Sequence, residues 1–422
     1  MINYEVANAA RITVLPAEKF KRCRVSINFV WPAQRKRATA AALLAFLMER
    51  GYADCPDMTE LSKRLAKLYG ASLTVDTGIS GSSRILSVTV SGIKDEFAID
   101  GENLTQEYAS IAFGVAFKPY LVNGVFDEEQ LSIEREKLRE LLEGEINEKR
   151  TYCIRQARRK FFGNSPEGTE RLGYLDELDS ITVQDITEVF GEMLSLSHIE
   201  VMVMGADANT VKVQLADAIS HVKRAPAVLK LASAQPRQKD AEYTQNIDAV
   251  QGKLCLLFTA GEAVPLSMLS AMRVAIALFG GTPTSRLFMN VREKQSLCYY
   301  CSARYSHLTG MLCVDSGIEH KNAACAKTAI LHELDMLING EITQKELADT
   351  KRCLVNTLMA LGDNIASLEN WYFQELICGT KDTPQEVITE INSVSIDDVK
   401  KALSSFTLSV SYLLTKEGAD NE

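Results

Sequence analysis

The chain passes through the same order of elements twice, with a period of about 215 to 230 residues, and a repeat that long marks a duplicated domain. The clearest pair is Ser180-Ile-Thr-Val-Gln-Asp-Ile186 and Ser393-Val-Ser-Ile-Asp-Asp-Val399. Each is a helix-start signal leading to a short helix and then a closing strand, at 199–204 and 408–413. Earlier in each half, Phe126-Asp-Glu-Glu-Gln-Leu131 and Ile342-Thr-Gln-Lys-Glu-Leu347 open long helices. Strand-like runs rich in Val, Ile, Leu and Phe stand at 24–29 and 253–258. Each precedes a helix apolar nearly all round, one over 39–50 stopped by Gly51 and one over 269–279 stopped by Gly280-Gly281, so both helices are predicted to be buried.

A length of 422 residues exceeds one ordinary core, which agrees with two domains, expected at 1–224 and 246–422. Residues 225–245 carry Pro226, Pro236 and mixed polar residues and read as a linker. Strand pairs such as 72–79 with 84–91 alternate with helices. The fold class expected is therefore α+β: two homologous halves, each a mostly antiparallel β-sheet with α-helices packed on one face.

Composition narrows the function. Hydrophobic residues at 46%, charged residues at 24% and 10 Pro describe a well-packed chain without the signature of disorder. A net charge of -9 argues against a dedicated nucleic-acid surface, which needs clustered Lys and Arg. The first residues, Met-Ile-Asn-Tyr-Glu, show no basic segment followed by an apolar run, and no apolar stretch reaches the ~18 residues of a spanning helix. A cytoplasmic protein without membrane contact is the expectation. Its ten Cys are then read as small buried hydrophobes rather than disulfides. Cys298-x-x-Cys301 lacks a second ligand pair at zinc spacing, and the alternation around it predicts a strand.

The stretch Gly280-Gly-Thr-Pro-Thr-Ser-Arg-Leu-Phe-Met-Asn-Val-Arg-Glu-Lys-Gln-Ser-Leu-Cys-Tyr299 resembles the C-terminal half of insulinase/pitrilysin-like peptidases, with a Gly pair, Ser-Arg-Leu-Phe, Arg-Glu-Lys and Leu-x-Tyr in the family's order. Leu65-Ala-Lys-Leu-Tyr-Gly-Ala71 and Asn164-Ser-Pro-Glu-Gly with Gly173 resemble segments of the first half. The likeness spans nearly the whole chain. It is nearest to zinc-less members from Gram-positive bacteria, some of them named for association with elongation factor P modification.

That resemblance implies a zinc helix in the first half bearing His-x-x-Glu-His, in which two imidazoles one turn apart hold the metal and the carboxylate acts as base. Counting back from Arg50-Gly51, the matching residues are Ala42-Leu43-Leu44-Ala45-Phe46. Neither Ala42 nor Phe46 can ligate zinc, and Ala45 replaces the base. The family's third ligand, a Glu on a later helix, falls at about Glu136, and one carboxylate cannot hold the ion. Among five His, Glu319-His320 and His332-Glu333 only begin such motifs, since Ser316 and Met336 occupy the partner positions. No metal or other cofactor is expected on this chain.

Arg292 and Tyr299, seven positions apart, match the Arg and Tyr that the family's C-terminal half brings to the zinc site to bind the substrate near the scissile carbonyl. A guanidinium and a phenol are suitable donors for a developing oxyanion. The resemblance therefore implies a non-catalytic subunit of a heterodimer with a zinc-motif homologue of similar length, acting on unfolded peptides that add as a strand to a sheet edge. A homodimer in isolation is also compatible. The alternative is a peptide-binding or assembly protein without proteolysis. An autonomous hydrolase finds no Gly-x-Ser-x-Gly elbow or phosphate-binding loop to support it.

Overall fold

The computed structural model describes residues 2–230, 240–261 and 263–416. Among them lie two mixed sheets. Sheet 1 is built from β1 (Ile2–Ala7), β2 (Ala10–Leu15), β3 (Arg22–Pro32), β4 (Ser72–Ser80), β5 (Ser83–Ile93) and β6 (His198–Met204), in spatial order β1-β2-β6-β3-β5-β4. Sheet 2 contains β7 (Ala241–Asn246), β8 (Gly252–Thr259), β9 (Cys298–Ser306), β10 (Met311–Ile318) and β11 (Thr407–Thr415), in order β7-β11-β8-β10-β9. Once β1 is set aside, the sheets have one topology. A parallel pair (β2 with β6, β7 with β11) is followed by three antiparallel pairings in the same succession, as expected for a duplicated α+β fold.

The helices are α1 (Ala38–Arg50), α2 (Met58–Lys67), α3 (Leu104–Phe117), α4 (Glu128–Glu143), α5 (Lys149–Phe162), α6 (Val183–Leu196), α7 (Ala208–Ser220), α8 (Leu269–Ile276), α9 (Ala323–Ile338), α10 (Gln344–Leu361), α11 (Ile365–Cys378), α12 (Pro384–Ser393) and α13 (Ile396–Leu403). The repeated start signals act two residues beyond the Ser positions read from sequence. Thr182 with Asp185 and Ser395 with Asp398 form reciprocal capping boxes at the starts of α6 and α13. Each cap is worth about 1 kcal/mol.

The chain forms two compact units, and neither is one stretch of sequence. The first unit comprises Met1–Glu143, Ser165–Lys230 and Ile365–Phe373; the second comprises Gly144–Asn164, Leu231–Asn364 and Gln374–Glu422. In the first unit the period-2 alternation of β3 sends Cys23, Val25, Ile27, Phe29 and Trp31 into a core shared with α1, α3 and α6. The opposite side of β3 carries Arg24, Ser26 and Asn28, and there Glu369 of α11 pairs with Arg24.

In the second unit, α5 lays Cys153, Ala157, Phe161 and Phe162 on the side of sheet 2 that carries Cys255, Leu257, Cys313, Val410 and Tyr412. Leu254, Leu256 and Phe258 are buried on the other side. Sheet 2 is thus covered on two faces rather than one. The residues at 153, 157 and 161 recur every fourth position and form one apolar stripe on a helix otherwise full of Lys and Arg. Of the linker expected at 225–245, residues 231–239 lie outside the described residues, and Ala241–Asn246 form β7.

Candidate functional site

Helix α1 is smooth and apolar where the family would place metal ligands. Ala42 and Ala45 are fully buried, between Leu43, Leu44, Leu47 and Met48 of the same helix. Phe46 is half-buried, and the Lys137 ammonium stands 5.1 Å from its ring centroid. A zinc ion needs N, S or O donors at about 2.0 to 2.3 Å. These positions offer only hydrocarbon, so the residues present do not fit the ion. Among the described residues no three His, Cys, Asp or Glu side chains converge as a metal site.

Glu136 lies on the exposed side of α4 and pairs there with Arg139 at 3.3 Å. The buried carboxylate of that helix is Glu134, which accepts from Arg50 Nη1 at 2.8 Å and lies 3.3 Å from Lys137 Nζ. The helical period carries this distinction. Leu131, Glu134, Leu138 and Leu142 form the buried stripe of α4, and Glu136 falls off it. Arg50, which ends α1 before Gly51, is thereby tied to α4 by a partly buried ion pair. His320 is likewise structural, with Nδ1 2.9 Å from Thr415 Oγ1 and Nε2 3.1 Å from the Ala249 carbonyl.

In the second unit the stretch carrying Arg292 and Tyr299 is irregular at each step. The helix expected over 269–279 is α-helical only as α8; from Ala277 to Gly281 it continues as a π-helix. Leu287–Lys294 is a second π-helix, and Arg292 lies on it. Such widened turns are rare and recur at functional sites. Arg286 anchors the start of this segment, with a nearly buried side chain that pairs with Glu346 of α10 and stands 3.5 Å from Glu333 of α9. Gly280 holds its other side. A Cβ there would come within 2.7 Å of the Ala303 nitrogen on β9, so only Gly permits the approach.

The π-helix ends in a tight turn. The Ser296 N–H donates to the Arg292 carbonyl at 3.0 Å and the Leu297 N–H to the Val291 carbonyl at 3.1 Å, a helix-ending motif one residue wider than its α-helical counterpart. Ser296 takes the left-handed conformation at φ 53°. Three residues then suffice to pass from the π-helix into β9.

Tyr299 enters β9 as the extra residue of a β-bulge. Ile318 pairs with Cys298 and Gly317 with Tyr300, which leaves Tyr299 without a partner across the ladder. Its side chain is 49% exposed, and its hydroxyl has no hydrogen-bond partner among the described residues. Gly317 makes the bulge possible, because the Tyr300 ring lies directly over it and a Cβ would come within 2.3 Å of the ring. Arg292 is 39% exposed, with its guanidinium 4.6 Å from the Phe288 ring centroid and 3.6 Å from Glu293. Neither contact buries it. Both side chains keep donors free for an incoming acceptor.

The inserted residue also changes which way Cys298 faces. Cys298 and Cys301 are three positions apart, which on a regular strand would put them on opposite faces. Here both are buried. The Cys298 thiol is held down to about 7, first by its hydrogen bond with Cys301 and, against the opposing effect of burial, by Ser316 and the positive charge of Arg292. Sequence reasoning missed this thiol's link to Arg292, because the link depends on the bulge.

These features define the class by likeness: the chain has an insulinase-like M16 fold and resembles that family's inactive, non-catalytic members. Residues 180–354 match the family model described as "Peptidase M16 inactive domain". Over 96% of its length, and 96% of the relative's, the chain is 25% identical to the "Probable inactive metalloprotease YmfF" of Bacillus subtilis (strain 168). It is 29% identical to the "Uncharacterized zinc protease YmxG" of the same organism, over 39% of this chain and 41% of that one. Among solved structures, a conserved protein from Enterococcus faecalis V583 superposes with a TM-score of 0.90 at 26% identity, covering 99% of this chain and 98% of that one. The "peptidase M16 inactive domain" from Pseudomonas fluorescens shares the fold, with a TM-score of 0.78 at 14% identity over 98% of each chain.

Proposed function

We propose that this chain is the substrate-binding, zinc-less subunit of a heterodimeric peptidase. Its partner is a zinc-motif homologue of similar length, which supplies the metal and the base. Arg292 and Tyr299 hold the carbonyl oxygen of the scissile peptide and stabilise the negative charge that develops on it. The observation that carries this reading is the coincidence of a π-helix and a β-bulge within one short stretch. A bulge leaves an unpaired residue and disturbs the ladder, and here its product is a half-exposed tyrosine whose hydroxyl has no partner among the described residues. The substrate class is an unfolded peptide, bound as an added strand, with much of its binding through main-chain hydrogen bonds.

The test is to purify the chain from its native host with whatever remains bound, and to reconstitute it with the zinc-motif homologue recovered. Replacing one oxyanion donor typically costs about 2.7 to 4 kcal/mol of barrier, so Arg292→Ala should lower kcat of the reconstituted pair by about a hundredfold or more at unchanged thermal stability. Unchanged activity would sink the role given to Arg292. A complex that binds peptides without cleaving them would instead make this a peptide-binding or assembly protein.

A further inference from the structure

Beside the candidate site, one face of sheet 2 at its β9 edge carries positive charge that its surroundings do not neutralise. The ladder register brings the residues together: Tyr300 pairs with Gly317 and Gly317 with Lys253, Ser302 pairs with Asp315, and Arg304 pairs with Cys313. With a period of two, Tyr300, Ser302 and Arg304 share a face. Arg150, near the start of α5, reaches the same face. Its guanidinium lies 4.3 Å from the Tyr300 ring centroid and donates to Ser302 Oγ at 2.9 Å and to Asp315.

Lys253 Nζ stands 5.3 Å from that ring on the same strand row, and Arg304 pairs with Asp315. Two guanidiniums thus share the buried Asp315 carboxylate, while Lys253 Nζ donates to the neutral Gln251 Oε1 at 3.1 Å. The excess is felt locally. The Lys253 ammonium is held below its ordinary range by burial and by the charge of Arg150, which together outweigh the opposing influence of Cys153. Arg150 and Arg304 keep 45% and 55% of their side chains exposed. Helix α5 behind them carries Lys149, Arg150, Arg155, Arg158, Arg159 and Lys160 and no acidic residue of its own, although Arg155 is paired with Glu145.

We propose that this face selects acidic substrates: an extended segment lying along the open edge of β9, with Asp or Glu at alternate positions, meets Arg304, Arg150 and Lys253 in turn. The inference rests on the peptide-binding reading above and names the class of peptide. Two features favour a peptide over a nucleic acid. The cations follow the two-residue repeat of a strand, and β9 has a free edge that offers main-chain pairing. In a chain of net charge -9, acidic peptides would otherwise be repelled, so a preference for them needs a local cause.

The test uses the full chain and fluorescence anisotropy. The probes are a capped peptide alternating Glu and Thr, its Gln analogue, its Lys analogue, and a short oligothymidine. The Glu peptide should bind about tenfold more tightly than the Gln peptide at low salt, a gap that narrows as NaCl rises. Lys253→Gln together with Arg304→Gln should abolish the gap and leave the Gln peptide's affinity unchanged. If the double variant melts early, the exposed Arg304→Gln alone should halve the gap or better.

Equal binding of Glu and Gln peptides overturns the acidic preference and leaves peptide binding standing. Equal or tighter binding of oligothymidine makes the face a general polyanion surface and also overturns it. Binding of none of the probes removes the inference too. The subunit reading is judged separately, by the Arg292→Ala assay.

Discussion

The two sheets share a topology, yet the same part of each is finished differently. After β3 the first half makes α1, a regular helix whose positions 42, 45 and 46 are Ala, Ala and Phe, packed in hydrocarbon. After β8 the second half makes a helix that ends in a π-turn and then a separate π-helix, which closes on a residue with positive φ and enters the next strand through a bulge. Regular geometry is what packing alone favours. Irregular geometry costs stability and persists where a side chain must be held at an angle that regular structure does not offer. The contrast teaches that the first half packs hydrocarbon where the second departs from regular geometry around Arg292 and Tyr299.

Experiments that alter either half test this contrast. The largest effect is expected from restoring polarity to α1. Ala45→Glu places an unpaired carboxylate in a filled core and should lower unfolding free energy by about 3 to 5 kcal/mol in denaturant titration. Adding Ala42→His and Phe46→His should worsen stability further, and a stable, stoichiometrically zinc-loaded triple variant would show that α1 still has room for the motif. Next is the bulge. Gly317→Val drives side-chain atoms into the Tyr300 ring and should cost about 1 to 3 kcal/mol, with loss of activity in the reconstituted pair beyond what the stability change explains.

The third effect is a titration. Iodoacetamide labelling of Cys298, followed by mass spectrometry, should have a midpoint near pH 7, and Arg292→Ala should move it upward because a positive neighbour is lost. The sign for stability follows. The Cys298 pKa is lower in the folded state than in the unfolded chain, so its contribution is present above the ordinary thiol value and fades as pH falls through about 7. The smallest effect is that of Tyr299→Phe on stability. The residue is about half exposed and its hydroxyl has no partner among the described residues, so unfolding free energy should stay within about 0.5 kcal/mol while the reconstituted activity falls. A larger loss would assign Tyr299 to the fold.

Much of this was legible in the sequence, and the limits have physical causes. The duplication, the strands around residues 24–29 and 253–258, and the buried helix ending before Gly51 all follow from local periodicity and stop signals. That Ala42 and Phe46 offer no zinc donor and Ala45 no base is read from the residues themselves, since hydrocarbon binds neither metal nor proton. Glu136 was matched to the family's third-ligand position by resemblance alone, and the Leu131, Glu134, Leu138 stripe shows that the buried carboxylate of α4 is Glu134. The charged run over 128–150 hid a break at Gly144–Asn147 and a second helix beyond it. The π-turns and the bulge leave no local signature. They stand where the backbone is packed closely against another segment, Gly280 against Ala303 and Gly317 under the Tyr300 ring, which a local window of sequence does not show.

The make-up of the two units restricts where the chain can be divided. Each compact unit borrows a helical piece from the opposite half of the chain, 144–164 in one direction and 365–373 in the other. A gene divided at the midpoint would encode two products, each missing a piece of its own unit and carrying a surplus segment meant for the other.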